Sequence, residues 1–292
     1  MNKQLKYSPV AVIILLMIGF SCTQSSELEA WEAWKKERLR SLKEPQGFVN
    51  LAGLFWLDSG VNKIGSSGDI LFPNDMPADL GELVWRGDEV IYRSVSDDVT
   101  VDSTSVTDSV VVYSAGNPKM MRWGSYVWYI IDRVGNIGVR LKNLNHPNLK
   151  KDIQLTYFDY NPELVVEATF MPYKQKKELR IDNVLGHEYQ MEISGQLQFE
   201  IDGQPYTLEP IDEGEEFFII FSDETSAIET YGSGRYMYAD MPKGKGDKVL
   251  LDFNRCYNPP CAFTDFATCF IPPRENRLDL PIEAGELDYH MH

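Results

Sequence analysis

Ser125-Tyr126-Val127-Trp128-Tyr129-Ile130-Ile131-Asp132-Arg133-Val134-Gly135-Asn136-Ile137-Gly138-Val139-Arg140-Leu141 reads as strand, turn, strand. Residues 125–131 and 137–141 are dense in β-branched and aromatic side chains, which suit a pleated surface better than a helix. Residues 132–136 supply the turn chemistry: a glycine flanked by Asp132 and Asn136. The same grammar runs outward in both directions. From Gly47 on, short apolar or alternating runs are separated by turn residues and no helical period intervenes. Upstream strands are expected at 48–51, 60–64, 69–72, 81–85, 89–94 and 110–113. Downstream strands are expected at 153–158, 164–171, 192–193, 195–201, 206–209, 216–221, 235–239, 248–253 and 278–283. Arg86-Gly87-Asp88 and Asp202-Gly203 mark hairpin turns. The expectation is an all-β protein of two β-sandwich or barrel-like modules, residues 45–160 and 161–292, with a seam near Asp159-Tyr160-Asn161-Pro162. One continuous sandwich is the alternative.

The N-terminus reads differently. Lys3 and Lys6 precede an apolar run, residues 10–20, that is short for a bilayer span of roughly 20 residues. It ends in Gly19-Phe20-Ser21-Cys22, which resembles a bacterial lipoprotein signal. Residues 1–21 are then a signal peptide, Cys22 the lipidated residue and residues 22–26 a tether. An ordinary secretory signal or an uncleaved anchor is the alternative. Ser26 and Glu29 have the spacing of a capping box, opening an amphipathic helix at 27–44 whose Trp31 and Trp34 face packs on the domain. A helix lying on a membrane surface is the other option, since Lys35, Lys36, Arg38 and Arg40 are basic.

Without Lys3 and Lys6, the 28 basic residues become 26 against 44 acidic ones. So acidic a chain is a poor partner for nucleic acid or anionic lipid. The expected partners are the lipid anchor and a small polar ligand or an envelope component, with the protein outside the cytoplasm, periplasmic or at the cell surface. In that oxidising space a Cys261–Cys269 disulfide is favoured, with buried thiols as the alternative and Cys256 left over. The cysteine spacing matches no zinc pattern with two close pairs, and the four histidines are scattered. No metal or cofactor is expected. No GxSxG elbow is present.

The chemistry concentrates at Leu251-Asp252-Phe253-Asn254-Arg255-Cys256-Tyr257-Asn258-Pro259-Pro260-Cys261, continuing through Cys269 to Arg277. Prolines at 259 and 260 bar a helix there and stiffen the loop. The expectation is a polar pocket of Arg235, Asp252, Asn254, Arg255 and Asn258, serving a binding or envelope-structural role. The alternative is a hydrolase with Asp252 as general base and Arg235 or Asn254 stabilising developing charge. A structural Arg235 ion pair with Asp252 or Asp240 is the plainer reading of that arginine.

Two resemblances add to this. Residues 60–73, Gly60-Val61-Asn62-Lys63-Ile64-Gly65 through Pro73, resemble the opening of a forkhead-associated-type sandwich. Ser66 stands where those modules place a phosphate-reading arginine, so the likeness implies a fold and not phosphopeptide binding. The runs Tyr231-Gly232-Ser233-Gly234-Arg235, Leu251 to Arg255, Tyr257 to Thr264, Ala267-Thr268-Cys269, Glu275-Asn276-Arg277-Leu278 and Glu283-Ala284-Gly285-Glu286 resemble a bacterial and archaeal family known as domain of unknown function 1684. That likeness extends over nearly the whole mature chain. It implies the Cys261 and Cys269 pair, and no activity, substrate or cofactor. Cys256 and Phe270 stand where the family usually has alanine and proline.

Overall fold

The computed structural model describes residues 9–244 and 246–289, with side chains from residue 26 onward. Met1 to Ser8, and with them Lys3 and Lys6, lie outside the described residues, as does the side chain of Cys22. A helix spans Pro9–Lys43. Proline suits a first helical turn, and no second proline occurs before Pro45. Ser26 therefore sits inside the helix and not at its N-cap, and the expected start at 27 is moved upstream. Among the described residues no helix is long and apolar enough to cross a membrane.

The helix docks through its C-terminal half. Trp31 is buried, and its ring meets Tyr157 edge-on at 6.1 Å and Tyr160 at 5.5 Å. Trp34 also meets the Tyr157 ring edge-on at 6.1 Å. Leu42 joins Val49, Ile153, Ala262 and Phe263 in a buried cluster. Trp31, Trp34, Arg38 and Leu42 follow at intervals of three to four residues, as one face of an amphipathic helix requires.

The rest is mostly strand, in two sandwich-like modules of curled sheets. The first has two six-stranded sheets. One runs in the order Leu51–Trp56, Asn136–Asn143, Tyr126–Arg133, Met121–Trp123, Thr100–Val101, Thr104–Ser105. The other runs Ile70–Leu71, Gly60–Gly65, Gly81–Arg86, Glu89–Arg93, Ser109–Ser114, Asn117–Pro118. All ladders are antiparallel except Gly60–Gly65 with Ile70–Leu71. The hairpin read from residues 125–141 forms with Arg133 opposite Asn136, turning through Val134-Gly135. Ile64, Leu83, Tyr92 and Val112 from one sheet meet Met121, Trp128, Val139 and Leu141 from the other, all fully buried or nearly so. Each such side chain contributes roughly 1.5–3 kcal/mol of burial.

The second module pairs a four-stranded sheet, in the order Gln204–Leu208, Glu188–Ile201, Val165–Asp182, Lys248–Asp252, with a three-stranded one, Ile211–Glu213, Glu216–Phe221, Arg235–Asp240. Phe199, Phe217, Phe221, Leu251 and Phe253 fill the space between them. Two expected strands at 192–193 and 195–201 fuse into Glu188–Ile201. Its long partner Val165–Asp182 absorbs the mismatch in a register shift between Pro172 and Lys177. Residues 153–158 and 278–283 form no ladder. Tyr157 makes only an isolated bridge to Glu286, and Ile153 is buried below the helix. Their apolar content serves a core without a free strand edge to join. Among the described residues no strand ladder links 51–143 with 165–252. The two sets meet through side chains, as where Trp56 meets His187 at 5.6 Å.

Candidate functional site

Strand Lys248–Asp252 ends in the proline-rich loop. Asp252 caps a single 3-10 turn, Phe253–Arg255: its Oδ1 accepts from the Asn254 backbone N–H and from Asn254 Nδ2, both at 3.1 Å. Its Oδ2 pairs with Arg255 Nε at 2.9 Å. Asn254 is wholly buried. Its amide imitates a strand partner, accepting from Asn161 N–H at 2.8 Å and donating to Asn161 C=O at 2.9 Å. Its own carbonyl accepts from Trp31 Nε1 at 2.9 Å. One asparagine thus ties the helix, the chain near residue 161 and the loop together.

Asn258 is equally buried. Its N–H donates to Glu286 Oε2 at 2.8 Å, its Nδ2 to the Leu287 carbonyl at 2.8 Å, and its carbonyl accepts from Arg38 Nη2 at 2.9 Å. Glu286, with no exposed surface, also accepts from Arg38 Nε at 2.9 Å. Arg235, 1% exposed, pairs with Asp223 and donates to the carbonyls of Ala284 and Ile282. Its partner is therefore neither Asp240 nor Asp252. Pro259 is extended, and a 3-10 turn begins at Pro260. Cys261 and Cys269 are joined by a disulfide with Cα atoms 6.1 Å apart, while Cys256 is a buried free thiol. Burial pushes the Cys256 thiol far above its usual range.

The five residues expected to share a pocket are thus divided. Arg235, Asn254 and Asn258 point inward, and their hydrogen bonds hold the loop. The physical reason is that buried amides and guanidinium groups must find partners, and the backbone carbonyls of Asn161, Leu287, Ala284 and Ile282 supply them. Asp252 and Arg255 alone of the five line a cleft of about 420 Å³, with Trp34, Tyr238 and Tyr257. Both Asp252 oxygens already serve the turn and Arg255, which leaves the general-base role without support from geometry.

A second cleft, of about 530 Å³, opens where the same loop faces the first module. Pro260, Ala267, Thr268, Cys269 and Phe270 come from the loop. Arg133 and Arg140 come from the two arms of the hairpin at 126–143, and Arg38 from the helix. The wall is aromatic: Phe218 stacks on Tyr238 at 5.0 Å, Tyr238 on Tyr257 at 6.4 Å, and Tyr236 stands edge-on to Phe218 at 5.0 Å. Glu213 is the carboxylate of the lining, and its Oε2 accepts from Tyr238 O–H at 3.3 Å. Tyr236 donates to the Phe270 carbonyl at 2.9 Å, locking that wall to the loop.

Arg133 Nε donates to Thr268 Oγ1 at 2.9 Å and Arg140 Nη2 reaches the same oxygen at 3.4 Å. Arg140 is 8% exposed, and its Nε has no partner. Burial, with Arg133 nearby, holds its guanidinium below the ordinary arginine value. Two positions along the strand, Lys142 is pushed down to about 8 by burial and by Arg140, while its Nζ donates to the carbonyls of Pro45 at 2.9 Å and Gly47 at 3.0 Å. These arginines were not among the sequence candidates. Arg140 between Val139 and Leu141 has the alternation of a solvent-facing strand position. Only the covering module and helix turn that outer face inward. The one available signal was the run of three alternating small or basic residues, Gly138, Arg140 and Lys142, on a single strand face.

Residues 153–287 match the family model described as "Protein of unknown function (DUF1684)". The match begins at residue 153, so the likeness expected over nearly the whole mature chain extends further towards the N-terminus than the match does. No curated protein matches the chain. Among solved structures, the solution NMR structure of an uncharacterised protein from Haloarcula marismortui is 30% identical. It covers 48% of this chain and 80% of its own, with a TM-score of 0.41. The family match falls on the motifs around the 252–277 loop: through residues 153–287 the chain belongs to the DUF1684 family of proteins of unknown function.

Proposed function

We propose that this protein is an extracytoplasmic binding lipoprotein, tethered through Cys22, whose cleft beside the 252–277 loop holds a small polar ligand. The observation that carries the binding half is the cleft of about 530 Å³ at the junction of loop, helix and both modules. Its size, its aromatic lining and its few fixed polar groups match the make-up of small-molecule sites, which favour such junctions. The wall is built in advance: Tyr236, Phe218, Tyr238 and Tyr257 brace one another, so a ligand meets a rigid surface at little ordering cost. The tether rests on the Gly19-Phe20-Ser21-Cys22 pattern.

Two measurements test the two halves. In a bacterial host grown with an alkyne-bearing fatty acid, the full chain should take up label and fractionate with membranes, and Cys22→Ala should abolish both. Labelling that survives Cys22→Ala refutes the tether. For the cleft, a panel of sugars, amino acids and small aromatic acids is titrated into the detergent-solubilised full chain carrying methyl-labelled alanine and threonine. A binder should move the Ala267 and Thr268 methyl signals and leave Thr169 still. Signals that move only elsewhere, or not at all across the panel, refute the cleft as a ligand site.

A further inference from the structure

The buried and half-buried cations that pack between the elements of this fold are satisfied with care, except in one place. Arg235 has Asp223 and two carbonyls. Lys142 has two carbonyls. Arg38 has Glu286 at 2.9 Å. Arg133 and Arg140 have no ion pair among the described residues, in a chain with 44 acidic residues to choose from. Apart from Thr268 Oγ1, Arg133 donates from Nη1 to the Asp132 carbonyl at 2.7 Å, and Arg140 has the Tyr129 phenol beside it. Arg140 Nε, in a residue nine-tenths buried and lining the cleft, is left without a partner.

Burying a guanidinium without a counter-charge is costly, and two such groups close together repel. Thr268 Oγ1 sits between them as a single neutral oxygen. An anionic oxygen beside it would be met by two planar forks, the geometry in which guanidinium groups bind carboxylate and phosphate best. The aromatic wall of Phe218, Tyr236, Tyr238 and Tyr257 faces the same space and would cover an apolar body. Glu213 opposes an anion, but its carboxylate already accepts from Tyr238 O–H at 3.3 Å.

We infer that the cleft takes a small anion, a carboxylate or phosphate on an aromatic or apolar body, gripped by Arg133 and Arg140 beside Thr268. This rests on the cleft being a ligand site. It adds the charge class of the ligand and two specificity-determining residues.

The test is calorimetric titration of the detergent-solubilised full chain with benzoate, phenyl phosphate and neutral benzamide. Benzoate or phenyl phosphate should bind at least tenfold more tightly than benzamide, and the stronger of the two identifies the anion. Arg133→Gln, at a half-buried position, should weaken that binding at least tenfold. Arg140→Lys, which keeps the charge and loses the fork, should weaken it while circular dichroism and Tm stay near the parent values. Arg180→Gln, on the exposed surface, should change nothing. Benzamide binding as tightly as benzoate, with Arg133→Gln without effect, overturns the anion assignment and leaves the cleft reading intact. Failure of all three probes to bind also overturns the anion assignment, and the methyl-signal titration across the wider panel then decides the cleft reading.

Discussion

Replacing Glu286 by Gln should cost this fold about 3–5 kcal/mol. The carboxylate has no exposed surface and accepts from three donors: Arg38 Nε at 2.9 Å, the Asn258 N–H at 2.8 Å and Tyr157 O–H at 3.4 Å. Glutamine keeps the volume but offers one acceptor oxygen and one donor nitrogen. Whichever way it turns, either Arg38 or the Asn258 N–H faces an NH2 group. One charge-assisted bond is lost, about 1.5–3 kcal/mol, and one buried donor is stranded, about 1–3 kcal/mol more. The total agrees with about 3–5 kcal/mol for breaking one side of a buried pair. For a domain of this size that lowers Tm by on the order of 10 °C. Urea unfolding followed by tryptophan emission is the assay, because Trp31, 5% exposed, reports on helix docking directly. The double variant with Arg38→Gln should cost clearly less than the two singles together, since they share one contact. A loss under about 1 kcal/mol, or full additivity, would show that the helix is not stapled through this carboxylate.

Three further predictions concern other buried groups. Lys142 is held down to about 8, so above that pH the unfolded chain keeps a proton the folded chain has shed. Stability measured against Lys142→Met should therefore rise with pH between about 8 and 10.4, by at most about 1.4 kcal/mol per unit, and an equal slope in both proteins would contradict it. Native protein should resist iodoacetamide at Cys256, whose thiol is buried and pushed upward. After denaturation Cys256 should alkylate at once, and Cys261 and Cys269 only after reductant, with the reduced protein less stable by about 2–3 kcal/mol. Gly234 has φ +83°, and a Cβ there would run into Pro272 and the Phe221 carbonyl. Gly234→Ala should destabilise by about 1–3 kcal/mol or more in the same urea assay, and an unchanged midpoint would refute the crowding.

Much of the strand content was open to a reader of the chain. Residues 125–141, 81–94 and 195–208 carry hairpin turns between β-branched and aromatic runs, and hairpins form there with the turns in place. These are local facts: a turn and two flanking runs decide one another within about ten residues. The runs at 153–158 and 278–283 look the same in sequence and form no ladder, because a strand also needs a neighbouring edge. The helix start was missed for a local reason too, since nothing between Pro9 and Lys43 breaks the helix.

The site was less legible. Polar residues crowded into a proline-braced loop look like a ligand pocket, yet Asn254, Asn258 and Arg235 turn inward to satisfy carbonyls at Asn161, Leu287 and Ala284. Which polar group faces a cavity depends on what lies across from it, and those partners are about 29 to 93 residues away. Arg140 shows the converse, an apparently solvent-facing strand position closed over by a loop 128 residues distant.

The amino-acid order by itself determined the all-β class, the main hairpins and the kinship of residues 153–287, because periodicity, turn residues and motif spacing are properties of neighbours along the chain. Tertiary structure alone decided which charges are paired and which are left bare. Burial and counter-charge are supplied by segments far apart in sequence, and only their meeting sets two guanidinium groups around one threonine oxygen.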